Sequence, residues 1–220
     1  MEEFPDVEKM PEPDRMPTSW SQEQLARLFE ACANQNGTIG GVKACDWWTA
    51  IHAVWWDTGE RTGGTLQIEW EHFDPASGQL WLPGNIRKTG KRAFYRLKPQ
   101  TVAAIELIRA PERKLIFEFP WDIGTFYRRY TRLLKDAGLP SGRENKPQKM
   151  RRSFASHLEA AGGNATDALM HSSRTLTNKS YLDLRVVKRE APNKLLFDIE
   201  TQNMAADNRE ESSSGKGGAA

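Results

Sequence analysis

The chain has 220 residues, a formal net charge of +2 and a hydrophobic share of 38%, which is typical of one globular domain or two small ones. No apolar run approaches the roughly 20 residues that cross a bilayer, and the acidic, proline-rich start does not resemble a secretory signal. Cys32 and Cys45 lack any metal-binding or redox spacing. We therefore expect a cytoplasmic protein with no membrane span and no cysteine-based metal or redox site.

Composition divides the chain into three parts. Residues 1–17 are acidic and proline-rich and are predicted to form a flexible leader. Residues 18–200 are predicted to form one globular domain. Residues 201–220 have low complexity and are predicted to be disordered.

The predicted elements of the domain are helices around a small antiparallel sheet. The first helix falls within 21–37, where Ser21 and Gln24 have the spacing of a capping box, and a second falls in the apolar stretch 46–59. A hairpin is predicted at 78–97, because apolar residues alternate on both sides of a Lys-Thr-Gly turn. Further helices are predicted at 99–109, 122–137, 147–161 and 164–170. The expected fold class is mostly α with a small antiparallel β-sheet (α+β).

Basic residues cluster in three stretches although the net charge is nearly neutral. One stretch surrounds the hairpin turn, the second covers 128–135 and the third covers 143–152. Such clusters suit a phosphate backbone, but a solvated helix face is also commonly charged. The residues predicted to contact DNA are Arg87, Lys91, Arg92, Lys146, Lys149 and Arg152.

Four short motifs follow one another along the domain. Arg61 comes just after a Thr-Gly pair, and Lys88 lies in the hairpin turn. Arg151 lies in the first turns of a helix that reads PQKMRRSFASHL, and His171 precedes Tyr181 by ten residues in HSSRTLTNKSY. Each residue alone has an ordinary explanation in packing or in surface charge. Those explanations do not account for the order and the flanking sequence together.

This set resembles the catalytic domain of the tyrosine recombinase (phage integrase) family over roughly residues 18–190. In that family an arginine follows Thr-Gly-x, a lysine lies on a hairpin, and a His-x-x-Arg box opens a later helix. A histidine then precedes the tyrosine nucleophile by nine or ten residues. The resemblance implies the fold of a DNA breaking-rejoining enzyme catalytic domain, with double-stranded DNA as partner and a tetramer on that DNA.

The resemblance also implies a mechanism without metal or cofactor. Tyr181 would attack a DNA phosphodiester and form a 3′-phosphotyrosyl intermediate, helped by arginines that hold the non-bridging oxygens. His171 would donate a hydrogen bond to the phosphate, and Lys88 would protonate the departing 5′-oxygen. The site residues assigned in this way are Arg61, Lys88, Gln148, Arg151, His171 and Tyr181.

Three positions depart from the family pattern. Gln148 stands where the family has a histidine, and glutamine cannot act as a base near neutral pH. Gly64 replaces an acidic residue that often follows the first arginine by three places, so Arg61 is expected to lack an orienting carboxylate. Met170 replaces the glycine before the histidine and is expected to disturb that turn.

The leading hypothesis is a site-specific DNA recombinase or integrase. The first alternative is a catalytically impaired or truncated DNA-binding remnant, which Gln148 favours. The short stretch before residue 18 favours it too, since family members usually carry a separate core-binding domain there. A topoisomerase-like nicking-closing enzyme and a helical protein without a DNA role are the remaining alternatives.

The resemblance makes one geometric prediction. The cationic site residues are far apart in sequence, so locality does not force them together. We nevertheless expect them to converge on one basic concavity within reach of Tyr181. These residues are Arg61, Lys88, Arg151 and His171.

Overall fold

The computed structural model describes residues 16–110 and 112–187. The predicted leader, apart from Met16 and Pro17, and the predicted tail lie outside these residues, so the domain boundaries stay predictions. In the described part of the chain, no helix is both long enough and apolar enough to cross a membrane. Within the same residues, no group of three or more His, Cys, Asp or Glu side chains could hold a metal ion.

The described residues form helices around two small antiparallel sheets, which confirms the predicted α+β class. The helices are α1 (Gln22–Ala33), α2 (Ala44–Thr58), α3 (Thr62–Thr65), α4 (Pro99–Leu107), α5 (Ile123–Asp136), α6 (Gln148–Ala160), α7 (Ala165–Ala168) and α8 (Arg174–Tyr181). The strands are β1 (Thr38–Ile39), β2 (Val42–Lys43), β3 (Phe73–Asp74), β4 (Gln79–Leu82) and β5 (Ala93–Arg96). Three 3-10 turns cover Trp70–His72, Gly84–Ile86 and Arg143–Asn145.

Helix α1 begins with the predicted capping box. The Gln24 backbone N–H donates to Ser21 Oγ over 3.2 Å, and the Ser21 N–H donates to Gln24 Oε1 over 3.0 Å. These bonds satisfy two of the amide donors that a helix start leaves free. The helix ends at Ala33, earlier than predicted, because the chain turns there into the two-stranded sheet of β1 and β2.

Helix α2 is the centre of the core and packs against α1, α4 and α6. Its Trp47, Trp48 and Trp55 side chains are almost fully buried. Large aromatic side chains contribute much of the apolar area that a core of this size buries. Helix α2 therefore provides the rigid support on which the residues after Thr58 are placed.

The predicted hairpin is confirmed, but its loop is longer than a three-residue turn. Strands β4 and β5 pair through Leu80↔Tyr95 and Leu82↔Ala93, and the ladder ends there. The loop of residues 83–92 is narrow at its base, where a Cβ added at Gly84 would lie 2.3 Å from the Gly90 carbonyl oxygen. Strand β3 adds a third member to this sheet, which has the order β3-β4-β5.

Helix α8 is the main element that the sequence patterns did not predict. Ser173 caps it by accepting a hydrogen bond from the Leu176 N–H over 3.2 Å. The helix is short and polar, so it lacks a long apolar periodicity. It ends at Tyr181.

Residues 17–20, here termed the N-terminal strap, connect the start of the domain to its end. The backbone N–H and the hydroxyl of Ser19 both donate to Asp183 Oδ2, over 2.8 and 3.0 Å. The Trp20 N–H donates to Ser153 Oγ over 2.7 Å, and His157 Nε2 lies 2.9 Å from the Trp20 carbonyl oxygen. The strap thus links α6 to the residues that follow α8.

His52 in the core of α2 gives a prediction about pH. It is fully buried, its Nδ1 lies 2.7 Å from the Trp48 carbonyl oxygen, and its ring stacks on Tyr130. Burial outweighs that hydrogen bond and lowers the pKa of His52 from 6.5 to about 4. Between pH 6.5 and about 4, His52 binds a proton in the unfolded chain but not in the folded chain. The free energy of unfolding therefore decreases as the pH falls.

We expect His52 to account for up to about 3 kcal/mol of stability lost between pH 6.5 and 4. Urea unfolding of the parent and of His52→Gln across this range measures the effect as the difference between the two pH dependences. Carboxylates titrate equally in both proteins and cancel. Parallel curves for the two proteins would contradict the prediction.

Candidate active site

The turn after α2 explains the Thr-Gly pair before Arg61. Thr58 Oγ1 donates to the Val54 carbonyl over 2.7 Å and accepts from the Glu60 N–H over 3.1 Å, which closes the helix end. Gly59 has a φ of 61°, a conformation that favours glycine. A Cβ added there would lie 2.3 Å from the Phe154 ring. Arg61 therefore leaves the turn at a fixed position, as the N-cap of α3.

Glu60 and Arg61 are the first two residues of the site along the chain, and their side chains carry opposite charges. The Arg61 N–H donates to Glu60 Oε1 over 2.8 Å, while Arg61 Nη2 donates to the Tyr181 hydroxyl over 3.4 Å. Burial raises the pKa of Glu60, but the Arg61 N–H bond and the charges of Arg87 and Arg151 outweigh burial and lower it. Glu60 is thus a buried carboxylate beside the site.

Arg151 is a buried cation in the first turns of α6. Its Nη1 donates to the Gly59 carbonyl over 2.6 Å, and its Nη2 donates to the Leu169 carbonyl over 3.2 Å. Its Nε is buried without a hydrogen-bond partner among the described residues. Burial, and then the charge of Arg61, lowers the pKa of Arg151, yet a guanidinium stays charged at neutral pH. The Nε–H group of Arg151 therefore remains as a donor for an anion.

His171 lies next to Arg151 in a defined tautomer. Its Nε2 is 3.1 Å from Arg151 Nη2, and its Nδ1 is 2.9 Å from Thr177 Oγ1. Arginine only donates, so Nε2 accepts and Nδ1 carries the proton that it donates to Thr177. Burial, followed by the charges of Arg151 and Arg61, lowers the pKa of His171 to about 4. The ring is therefore neutral at neutral pH.

The turn before His171 is strained, as the sequence suggested. Met170 has a φ of 53° and is the only non-glycine residue with a positive φ in the described part of the chain. Such a conformation is uncommon for a non-glycine residue. Its thioether accepts a hydrogen bond from Arg87 Nη1 over 3.2 Å. The substitution for glycine therefore brings a contact that glycine could not make.

Tyr181, at the last residue of α8, lies inside this group of residues. Its ring centroid is 4.3 Å from that of His171 and 5.4 Å from the guanidinium carbon of Arg151. Burial raises the pKa of the phenol, but the charges of Arg151 and Arg61 and the hydrogen bond from Arg61 outweigh burial and lower it. Ser156 Oγ on α6 donates to the Tyr181 carbonyl over 3.2 Å and fixes the end of α8.

Gln148 reaches the same hydroxyl from the start of α6. Its Nε2 donates to the Tyr181 oxygen over 3.4 Å. An amide in this orientation supports a phenolate but takes no proton from a phenol. The structure therefore brings together Arg61, Gln148, Arg151, His171 and Tyr181, and their roles stay predictions.

Lys88 lies in the loop of residues 83–92, and its side chain is exposed. Its neighbour Arg87 is buried, with its Nε 2.8 Å from Glu60 Oε2. The Ile86 carbonyl oxygen also faces α3, since a Cβ added at Gly64 would lie 3.4 Å from it. The loop is thus fastened beside Arg61, although Lys88 itself points to solvent.

Two of the predicted DNA-contacting residues need correction because they are buried. Arg87 is paired with Glu60, and Lys149 Nζ lies 3.7 Å from the centroid of the Trp20 ring and donates to Asn145. Burial, and then the nearby arginine charges, lowers the pKa of Lys149 to about 8. These side chains face the protein interior because an ion pair and an aromatic face hold them there.

The other predicted DNA contacts are more accessible. Lys91 and Arg92 are exposed on the hairpin loop. Lys146 and Arg152 are half-buried, and each donates a hydrogen bond within the protein, to Thr131 Oγ1 and to the Glu144 carbonyl. They keep partial exposure near α6, so a role in binding DNA stays a prediction for these four residues.

Two residues of the site are not marked by any of the sequence motifs. Glu60 carries the buried carboxylate beside Arg61, and its adjacency to that arginine was the only sign of it in the sequence. Thr177 sets the tautomer of His171 and is fully buried. It lies six residues after His171, and without the unpredicted helix α8 nothing marked it among its hydroxyl-bearing neighbours.

Comparison with solved structures identifies the architecture. XerA recombinase superposes with a TM-score of 0.64 at 20% sequence identity and covers 84% of this chain. XerH site-specific recombinase, in a post-cleavage complex with a palindromic difH substrate, gives 0.60 at 18% identity and covers 89%. The chain has the tyrosine recombinase fold. The catalytic domain of bacteriophage HP1 integrase, with a TM-score of 0.54 at 19% identity over 77% of this chain, also has this fold.

This chain spans different shares of the chains to which it is similar. This chain spans 68% of the XerA chain and 54% of the XerH chain, but 86% of the HP1 catalytic domain. No protein-family model matches the sequence, and no curated protein matches it either. The tyrosine recombinase fold therefore rests on three-dimensional similarity, which agrees with the motif resemblance found in the sequence.

The cationic surroundings of Tyr181 predict an unusual titration. We expect Tyr181 to lose its proton at lower pH than an unperturbed tyrosine, because Arg151 and Arg61 favour the phenolate. Arg61→Gln should move the pKa upward, toward the ordinary value. The measurement is a pH titration by NMR of protein labelled at the tyrosine ζ-carbon, with Tyr181→Phe to assign the resonance.

Arg109→Gln is the matched control, since Arg109 is exposed and paired with Glu106. It should leave the Tyr181 titration unchanged. A Tyr181 resonance that titrates identically in the parent and in Arg61→Gln would contradict the electrostatic explanation.

Proposed function

We propose that this protein is a site-specific DNA recombinase or integrase that cleaves and rejoins DNA through a 3′-phosphotyrosyl intermediate. One observation carries the proposal: the Tyr181 hydroxyl faces Arg61 and Gln148, while its ring lies against His171 and Arg151. A phenol is a poor nucleophile at its ordinary pKa of about 10. Two guanidinium groups beside it favour the reactive phenolate.

The same cations suit a phosphodiester. Arg151 offers a buried Nε without a hydrogen-bond partner among the described residues, and Arg61 is half-exposed beside it. Guanidinium groups bind phosphate oxygens in a planar fork. In a site with little water they stabilise the charge that develops on the phosphate in the transition state. No metal ion is required for this role.

The reaction follows from the position of each group. The Tyr181 oxygen attacks the phosphorus, a Tyr–O–P bond forms, and the bond from phosphorus to the 5′-oxygen breaks. The phenol proton leaves to solvent, because Gln148 cannot accept it, and Lys88 supplies a proton to the departing 5′-oxygen. The product keeps a phosphodiester, so a 5′-hydroxyl of another strand can reverse the step without an energy source.

His171 requires one change for the role that the resemblance gives it. In the described arrangement its Nε2 accepts from Arg151, whereas contact with a phosphate oxygen needs an Nε2–H donor. A bound phosphate adds negative charge and raises the pKa of the imidazole, opposing the arginines. We propose that His171 gains this donor when DNA binds.

Solved structures with this fold support DNA as the partner. XerH is bound to its difH substrate in pre-cleavage and post-cleavage complexes, and lambda integrase forms a tetramer bound to a Holliday junction. We propose that this chain likewise binds double-stranded DNA and self-associates on it. Exposed Lys91 and Arg92 on the hairpin loop provide phosphate contacts next to the site.

Gln148 favours a second candidate, a DNA-binding remnant that no longer cleaves. An amide replaces the proton acceptor, and general-base catalysis is typically worth about 10²–10⁴-fold in rate. The two candidates differ in one product, because only the recombinase forms a covalent link between Tyr181 and DNA. A topoisomerase-like enzyme would form that link too, but would relax supercoils without recombining sites.

We expect Tyr181→Phe to abolish covalent attachment to DNA while the protein stays folded, since the ring still packs and only the hydroxyl is lost. The assay uses nicked suicide duplexes selected from a random pool by binding to the parent protein. Mass spectrometry of the trapped peptide locates the attachment. Attachment at Tyr95 or Tyr127 instead would refute the assignment, and binding without any adduct would favour the remnant.

Gln148→His should increase the cleavage rate, because an imidazole in place of the Gln148 amide, which lies 3.4 Å from the phenol oxygen, can take the phenol proton. Much of the activation already comes from the arginines, so we expect a gain of about 10²-fold or less. Single-turnover cleavage at several pH values measures it. Gln148→Asn is the control, and an equal rate in the parent and in Gln148→His would mean that water suffices as acceptor.

A further inference from the structure

One buried side chain, Arg87, contacts Met170, which departs from the recombinase pattern, and Glu60, which lies beside Gly64, a second departure. Its Nε donates to Glu60 Oε2 over 2.8 Å. Its Nη1 donates to the Lys91 carbonyl over 2.7 Å and to the Met170 sulfur over 3.2 Å. One guanidinium therefore connects the turn before Arg61, the hairpin loop and the turn before His171.

Glu60 lies beside the position that an acidic side chain at residue 64 would occupy. A Cβ added at Gly64 would lie 3.6 Å from Glu60 Oε1 and 3.7 Å from Glu60 Cγ, which is ordinary van der Waals contact. The carboxylate missing at position 64 is thus present next to that position, but it is supplied from the other side of Arg61.

Both oxygens of this carboxylate are used. Oε1 accepts from the Arg61 N–H over 2.8 Å, and Oε2 accepts from Arg87 and from the Tyr95 hydroxyl, the latter over 3.0 Å. The Arg87 and Glu60 side chains are only 1% and 2% exposed, so water does not screen the pair. A saturated, buried pair of this kind holds its partners in one geometry.

Stability alone does not require such a pair. Replacing a buried ion pair by apolar side chains of similar volume is often neutral or stabilising. The connections therefore point to a role in alignment. Arg87 directly precedes Lys88, and the loop that holds both is narrow at its base between Gly84 and Gly90.

We propose that Glu60 and Arg87 form a positioning pair that fixes the Lys88 loop against the Arg61 turn, with Met170 completing the anchor of Arg87. The inference rests on the proposed function, in which Lys88 protonates the departing 5′-oxygen. Both members of the pair are buried, so in this proposal they act on the phosphate only through Lys88. The exposed Lys88 side chain makes no hydrogen bond or ion pair with the other described residues.

The test uses the full chain with Glu60→Gln/Arg87→Met, which removes both charges at once and so leaves neither member of the pair as an unpaired buried ion. Glu106→Gln/Arg109→Met is the matched control, because it removes an exposed ion pair at the C-terminal end of α4. Thermal unfolding checks that both variants fold. Single-turnover cleavage is then measured on the selected duplex with an ordinary phosphodiester and with a bridging 5′-sulfur.

The sulfur substrate isolates the leaving-group step. A thiol is a much stronger acid than an alcohol, with a pKa of about 8.5, so its departure needs no protonation. We expect the test variant to cleave the ordinary substrate up to about 10²-fold more slowly, the size typical of a displaced catalytic group. We expect most of that loss to disappear with the sulfur substrate, and the control to match the parent on both.

A second comparison removes the carboxylate at residue 60 and introduces one at residue 64. Glu60→Ala should be slow on the ordinary substrate, and Glu60→Ala/Gly64→Asp should recover part of the rate, because position 64 lies next to the space that the Glu60 carboxylate leaves. Equal losses on both substrates, or a folded test variant with the parental rate, would overturn the proposal.

Amide hydrogen exchange separates this inference from the proposed function. If the parent forms no adduct at Tyr181, the proposed function fails, and exchange in residues 84–92 still tests whether the pair fixes the loop. Faster exchange there in the test variant than in the control supports the pair as the anchor of the loop. Unchanged exchange overturns it.

Discussion

The buried guanidinium of Arg151 is the constraint on which the site depends. A cation inside a protein is costly unless its donors are satisfied, and here backbone carbonyls of Gly59 and Leu169 satisfy two of them. That requirement brings the end of α2 and the turn after α7 to the start of α6. The arrangement also explains the glycine at position 59, whose left-handed backbone presents its carbonyl to the arginine without a side chain in the way.

The charges around Arg151 sum to a positive value. Among the described residues, the buried carboxylate of Glu60 opposes three cations, Arg61, Arg87 and Arg151, so the region keeps positive potential. The ionisation of neighbouring groups agrees with this potential, since the pKa values of Tyr181 and His171 are both lowered. Positive potential that favours an anionic phenol also favours an anion bound beside it.

Sequence patterns predicted those features that depend on local chemistry. The Ser21 capping box, the alternation of the hairpin strands and the aromatic α2 each express a preference of neighbouring residues. The arginines, the histidine and the tyrosine were found because their order and flanking sequence resemble one family. None of that required knowledge of which side chains meet in space.

The errors came from interactions between distant residues. Arg87 looked like its exposed neighbours Lys91 and Arg92, and only a carboxylate 27 residues earlier explains its burial. Lys149 was predicted to contact DNA because no sequence pattern shows that its ammonium group packs on the ring of Trp20, which is far away in sequence. Helix α8 was missed because its stability comes from a cap and from packing against α6, not from an apolar period of its own.

The N-terminal strap has a consequence for the way the protein is made. Ser19 and Asp183 are 164 residues apart in sequence, so their contact closes one of the longest loops in the domain, and it cannot form until Asp183 has been synthesised. During synthesis, the turn that carries Arg61 and the helix that carries Arg151 leave the ribosome well before the segment that contains Tyr181. In the proposed function, an unfinished chain would hold the cations but no nucleophile, so incomplete copies could bind DNA without breaking it.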